Sequence, residues 1–281
     1  MARPSQGQRP AEPARGLLHD SDREPPRQRV RVLPPAALEP YVHHFWLARW
    51  GALPTPRVVE ALPYPCVSIV FEALDGALRA EVLGPRTGRV TRVLSGAGQV
   101  FGLTFRPAAF APLYDGDLAR LADRSLALGE LFGPEGDAWA AATHAEPDLD
   151  ARIALATAFL LRRLAPLPVE ARRLRDLVER IAADPSLVRV EQVCLASGID
   201  LRALQRGFRR FVGVTPKWVL GRFRLIEAVE RLKAPEPPSL VELAASLDYA
   251  DQAHFARDFK RVVGETPRRF VERLRRDART R

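Results

Sequence analysis

The feature that most constrains this chain is an internal repeat near its carboxyl end. Phe208 to Lys217 reads FRRFVGVTPK, and Phe259 to Arg268 reads FKRVVGETPR, an offset of 51 residues. Aromatic, basic pair, valine, glycine, threonine and proline recur in step. Gly213 and Gly264 stand where a helix ends in a left-handed residue. Thr215 and Thr266 suit the N-cap of the next helix, with Pro216 and Pro267 at its first position, where no N–H is needed. Upstream of the second copy, Ser239-Leu-Val-Glu242 is a capping box that opens a further helix. Small residues (Cys194, Ala244) then let two helices cross. The turns fall at Gly198 and Asp248, the second one residue longer. Each copy is a helix, a tight turn, a second helix, and the capped start of a third: a helix-turn-helix, twice.

Helical geometry separates the faces of the second helix of each pair. At about 100° per residue, Leu204, Phe208 and Phe211 share one face, and Arg202, Arg206 and Arg209 share the other. In the second copy Phe255, Phe259 and Val262 form the apolar face, opposite Ala253, Arg257 and Lys260. The whole chain has a net charge of +9 over 281 residues. Only three of its 43 basic residues are lysine (Lys217, Lys233, Lys260), which reads as a GC-rich coding bias, so placement matters more than number. Residues 184–281 hold 20 basic and 13 acidic residues, a net of +7, so the excess lies where phosphate attraction needs it.

From about Val188 to Leu274 the sequence resembles the AraC/XylS-type transcriptional regulators. The carriers are the two repeat strings, TPKWVLGRFRLIEAVERL from Thr215, and LAASLDYADQAHFARDFKRVVGETP from Leu243. The resemblance implies two helix-turn-helix units joined by a long helix, Pro216 to Lys233. It implies that both second helices enter successive major-groove segments on one face of double-stranded DNA, about one turn (about 34 Å) apart, with some DNA bending. By position the base readers would be Arg202, Gln205 and Arg206 in the first unit, and Gln252, Ala253 and Arg257 in the second. Arginine pairs bidentately with guanine and glutamine with adenine. Arg209, His254 and Lys260 would contact phosphate. Asp248 departs from the usual turn glycine, although Asp tolerates the left-handed conformation. Gly207 lies inside the first reading helix, at a cost of about 1 kcal/mol.

The amino-terminal part reads differently. Residues 1–29 are rich in Pro, Arg, Gln and Glu and are expected to form a disordered tail. From about Val30 the apolar runs are short. Val58-Val59, Cys66–Phe71, Leu78–Leu83, Arg89–Leu94 and the alternating Phe101, Leu103, Phe105 read as strands of a small sandwich or barrel, ended by Pro107. Leu118, Leu121, Leu126, Leu128 and Leu131 suggest short helices, and Ala151–Leu164 a longer one, before a Pro166-Leu-Pro168 break. The expected fold is α+β in two domains. A β-rich sandwich- or barrel-like domain with a helical connector (30–165) precedes an all-α, seven-helix double helix-turn-helix domain (166–281). Tyr41–Trp46, Leu62–Phe71 and Gly102–Pro107 resemble, more loosely, the sensor halves of one branch of the family, which bind a small effector or mediate pairing.

Other motifs carry plainer readings. Adjacent His43 and His44 should point to opposite faces of a strand, and no acidic or cysteine partner at ligand spacing argues for a metal. Cys66 in an apolar run reads as a buried, inert thiol, and Cys194 as a small core residue. Arg106 suits a structural salt bridge better than an anionic effector. Trp46 and Trp50 suit an aromatic core. Two cysteines exclude a disulfide scaffold and fit a reducing cytosol. No run of 18 apolar residues suggests a membrane span, and no apolar leader segment opens the chain. Nucleophile elbow, phosphate loop and paired carboxylates are all missing, which argues against an enzyme and against an enzyme with a DNA-binding appendage. The expected function is sequence-specific transcription regulation in the cytoplasm, at the nucleoid, with no cofactor and no metal. Partners would be double-stranded DNA and an unidentified small effector, with RNA polymerase and a second copy of the chain as further candidates. The rival is a non-specific basic nucleic-acid-binding protein, marked by steep salt dependence without sequence preference.

Overall fold

A computed structural model describes residues 15–20 and 28–279 of the chain. The amino-terminal half holds β1 (Leu17–Asp20), β2 (Gln28–Val32), β3 (Val42–Trp50), β4 (Arg57–Ala61), β5 (Ser68–Leu74), β6 (Ala77–Leu83), β7 (Val90–Leu94), β8 (Gly98–Phe105) and β9 (Ser125–Ala127). Helices α1 (Leu128–Phe132), α2 (Pro134–Ala145) and α3 (Leu149–Leu161) follow. The carboxyl-terminal half is α4 (Val169–Ala183), α5 (Val190–Ser197), α6 (Leu201–Gly207), α7 (Pro216–Leu232), α8 (Leu240–Ser246), α9 (Gln252–Val263) and α10 (Pro267–Arg279). The β-rich-then-helical, two-part α+β architecture expected from sequence is the one observed.

The strands form two antiparallel sheets, one of six strands in the order β2-β3-β8-β5-β6-β9 and one of three, β1-β4-β7. Period-two alternation decides which residues meet the helices. Phe45, Leu47, Ile69, Phe71, Phe101, Leu103 and Phe105 share one face of the larger sheet and are buried. Helices α2 and α3 cover that face, with Trp139 stacked on Phe159 at 4.1 Å and edge-on to Phe71 at 5.0 Å. The opposite face carries His44, Trp46, Ser68, Glu72 and Thr104. Glu72 reaches Arg92 on the three-stranded sheet at 3.4 Å.

Three local readings change. Residues 17–20, which composition assigns to the tail, pair with β4, because the Leu17-Leu18 pair has something to bury and Leu18 is sunk in the helical core. Residues 15–16 form the turn before β1, and Gln28 and Arg29, also assigned to the tail, open β2 beside Arg49 and Ala48; residues 1–14 and 21–27 lie outside the described residues. Leu126 falls in β9 rather than a helix, since it completes the edge beside Val82. The strand expected at Cys66 starts at Ser68, after a turn in which the Cys66 N–H donates to the Tyr64 carbonyl (2.8 Å).

The two halves are not separated by a gap. Leu18, Leu62, Ala108 and Ala109 belong to the same apolar cluster as α4, α6, α7 and α9. Arg106 donates to Glu179 of α4 at 2.6 Å and to the Glu39 carbonyl at 2.7 Å. This is the structural role expected of it. Tyr64 meets Phe223 of α7 edge-on at 5.3 Å.

Candidate nucleic-acid interface

Both candidate reading helices start from the same chemical device. Asp200 accepts from the Ala203 N–H (3.0 Å) to cap α6, and Asp251 accepts from the His254 N–H (2.6 Å) to cap α9. These two aspartates also recur at the 51-residue offset, a sign the repeat strings alone did not include. Each helix ends 13 residues after its cap at a left-handed glycine, Gly213 with φ +84° and Gly264 with φ +96°. Thr215 then caps α7 by accepting from the Trp218 N–H (3.2 Å), with Pro216 in the first turn. The capping box at Ser239 and Glu242 is formed at 3.0 and 3.2 Å. Asp248 adopts φ +55°, as its place in the turn requires.

The nine residues expected to meet DNA are all exposed: Arg202, Gln205, Arg206 and Arg209 in the first unit, and Gln252, Ala253, His254, Arg257 and Lys260 in the second. Behind them Leu204, Phe208, Phe255 and Phe259 are fully buried. Phe259 sits between Phe255 and Phe270, with both ring centroids at 5.6 Å. The inner face of α9 closes on Val263 rather than Val262, which is half-buried. A helix turn ending four residues after Phe259 makes that the deeper position.

The first reading helix departs from the regular α-helix assumed for it. After Gly207 the backbone widens into a π turn over Phe208–Val212, closed by Gly213 N–H donating to the Phe208 carbonyl (2.8 Å). The equivalent turn in α9 closes one residue tighter, Gly264 N–H to the Lys260 carbonyl (2.9 Å). Arg209 lies in the widened turn and pairs with Asp117 of the amino-terminal half at 3.0 Å. Arg209 is thereby set apart from Arg202 and Arg206. Gly207 has a packing reason. A Cβ there would stand 2.8 Å from Leu174 Cδ1, so its absence lets α4 approach.

Two networks went unread in the sequence. The Tyr249 hydroxyl donates to Asp258 (2.8 Å), which also accepts from Arg261. Burial alone would raise the Asp258 carboxyl, but these bonds hold it below its ordinary value. Arg189, just before α5, forks onto Asp248 at 3.0 and 3.3 Å, tying one unit to the turn of the other. Asp258 and Arg261 are an i,i+3 pair on α9, but the reach from Tyr249 and the Arg189–Asp248 pair follow no helical period, so no periodic signal marked them.

The remaining candidates resolve as packing. His43 and His44 do not diverge. A bulge between Val42 and His44 brings their Nδ1 atoms to 2.8 Å, and Arg31 meets His44 Nε2 at 2.6 Å. Burial, then the Arg31 and His43 charges, push the His44 pKa down to about 2, so its ring is neutral. Burial likewise pushes the Cys66 thiol up to about 12, far from a reactive thiolate. Cys194 packs half-buried on the helical core. Trp50 is buried, its Nε1 donating to the Ser95 carbonyl (3.3 Å). Trp46 lies half-buried over Gly102, where a Cβ would meet its ring at 2.6 Å. Among the described residues no helix is long and apolar enough to cross a membrane.

Comparison with known proteins bears on both halves. Residues 193–273 match the family described as a helix-turn-helix domain, and residues 30–127 match a domain of unknown function, DUF6597. The probable transcription factor PqrA of Proteus vulgaris is 31% identical over 85 residues, which cover 30% of this chain and 69% of PqrA. This chain belongs to the AraC/XylS-type family of transcriptional regulators. Its likeness to the transcriptional activator RhaS of Escherichia fergusonii is 36% identity over 70 residues. That match spans 25% of this chain and a quarter of RhaS. The solved structure of ToxT from Vibrio cholerae aligns over 81% of this chain and 97% of its own length, at 12% identity and a TM-score of 0.41. The family's double helix-turn-helix is the all-α half described above.

Proposed function

We propose that this regulator binds double-stranded DNA sequence-specifically, with α6 and α9 each reading one major-groove segment. The observation that carries it is the pair of equivalent helices, both capped by aspartate, both ended by a left-handed glycine, both presenting Arg and Gln outward from a buried aromatic anchor. Arg202, Gln205 and Arg206 read one block and Gln252, Ala253 and Arg257 the other, with the Ala253 methyl suited to a thymine methyl. His254 and Lys260 hold phosphate, and Arg209 does so once released from Asp117. The unit comprising residues 166–281 does the reading, and residues 30–165 form the sensor half. The protein works in the cytoplasm. A random-DNA selection with the full chain at physiological salt tests the reading. Two enriched blocks about 10 base pairs apart support it. Binding that fades steeply with salt and enriches nothing supports the non-specific alternative.

The effector part rests on the inner face of the six-stranded sheet. His44 beside Arg31, the Ser68–Thr104 hydroxyl pair (3.2 Å) and Glu72 beside Arg92 layer polar groups between the sheets, where a small polar molecule could find partners. The measurement is DNA affinity across fractionated metabolite extracts. An affinity that no fraction changes removes the support for an effector.

A further inference from the structure

The loop between β6 and β7, Gly84-Pro-Arg-Thr-Gly-Arg89, meets the glycine that ends each of the two helix-turn-helix units and the long helix that joins them. Pro85 lies against Gly213, the end of the first reading helix, where a Cβ would stand 3.0 Å from Pro85 Cγ and 3.0 Å from the Leu118 carbonyl. The Thr87 carbonyl accepts from Trp218 Nε1 (3.3 Å) and Arg222 Nη2 (2.5 Å), both on α7. Arg89 Nη1 donates to the Val263 carbonyl (2.9 Å), the last residue of the second reading helix. A Cβ at Gly264 would run into the same guanidinium. The two glycines that correspond in the repeat are thus both met by one loop from the other half of the molecule.

The loop is itself braced. The Thr87 N–H donates to Asp123 (2.8 Å), and Asp123 is held at φ +58°. Arg89 also pairs with Glu60 at 3.3 Å. The loop's contacts fall on Gly213, which closes the π turn after α6, on α7 and on the carboxyl end of α9, away from the turns that carry Arg202, Arg206, Gln252 and Ala253. The grip therefore leaves those reading residues exposed while fixing the far end of each helix.

We propose that the β6–β7 loop is a clasp that positions the two reading helices relative to each other, so that the amino-terminal half sets which spacing between DNA blocks is accepted. The spacing part rests on the DNA-reading function proposed above. Arg89 is the positioning residue, since its side chain makes the contact to α9.

The test uses the full chain with both native cysteines replaced and spin labels at Arg206→Cys and Arg257→Cys, exposed on α6 and α9. Pulsed dipolar spectroscopy without DNA should give one narrow distance distribution. Arg89→Ala should broaden it at least twofold, and Arg89→Lys, which keeps one donor and the charge, should restore most of the narrowness. An unchanged width in Arg89→Ala overturns the clasp. A broadening that Arg89→Lys does not rescue also overturns it, since the helices would then be responding to general loosening. The second arm measures affinity for duplexes carrying the selected blocks with the spacer at its optimum or one base pair longer. The unlabelled protein should discriminate about tenfold, and Arg89→Ala threefold or less, with the affinity for a single block unchanged. Full discrimination in Arg89→Ala overturns control of spacing. If no blocks can be selected, the DNA-reading proposal fails, while the distance measurement still decides the clasp.

Discussion

The two helix-turn-helix units have one plan and two executions. From aspartate cap to left-handed glycine the second helix of each unit takes the same number of residues. The second, α9, runs as a regular α-helix to its end, with Phe259 between two rings and Asp258 bonded to Tyr249 and Arg261. The first passes from α-helix to π turn at Phe208, with Gly207 pressed against α4 and Arg209 drawn to Asp117. The difference shows that equal length and equal caps do not fix the last turn of a helix. What leans on it differs: Leu118 and Pro85 crowd the end of the first unit, and the Arg89 side chain meets the end of the second. A π turn of this kind is uncommon in regular helices and often marks a functional place.

The largest expected effect sharpens the contrast in packing. Phe259→Ala should cost about 3–5 kcal/mol by leaving a cavity among rings. Phe208→Ala should fall at the lower end of that range, because the widened turn can relax around the gap. Denaturant midpoints at constant slope decide this, and equal costs would mean that the π turn gives no extra freedom. Next in size, Gly207→Val should destabilise by about 1–3 kcal/mol through overpacking against Leu174, despite leaving a poor helix former behind. A more stable Gly207→Val variant would show that α4 does not need the gap.

The smallest effect concerns pH and belongs to the second unit alone. The Asp258 carboxyl sits below its ordinary 3.8 in the folded chain, held down by Arg261 and Tyr249 against the upward pull of burial. Its ionised form therefore contributes stability above the unfolded value, and that contribution is lost as pH falls through the folded value. Unfolding titrations between pH 6 and about 2 should show the natural protein losing stability to acid faster than Asp258→Asn below about pH 4. Parallel curves would remove the carboxylate from the account of α9.

The legibility of the molecule follows the same division. The repeat made the helical half readable because caps, turn glycines and the 3.6-residue period are local rules. It gave the exposed and buried faces of α9 to within one residue, Val263 in place of Val262. It could not give the π turn, whose end at Gly213 is crowded by residues 85 and 118, distant in sequence. In the amino-terminal half the alternation of Phe101, Leu103 and Phe105 placed β8, whereas the bulge at His43 reversed the expected divergence of the two histidines. Leu17-Leu18 was masked by the polar composition around it. The contact from Thr87 to Trp218 and Arg222 spans more than 130 residues and has no period at all.

We propose two equivalent helices that read two separate blocks of DNA. The direct measurement is a random-DNA selection run in parallel on the natural chain, Arg206→Ala and Arg257→Ala. Arg206→Ala should relax base choice in one block and Arg257→Ala in the other, each losing about 1–3 kcal/mol on its own block and leaving the second block intact. Uniform weakening across all sequences in both variants, or relaxation of the same block by both, would contradict it.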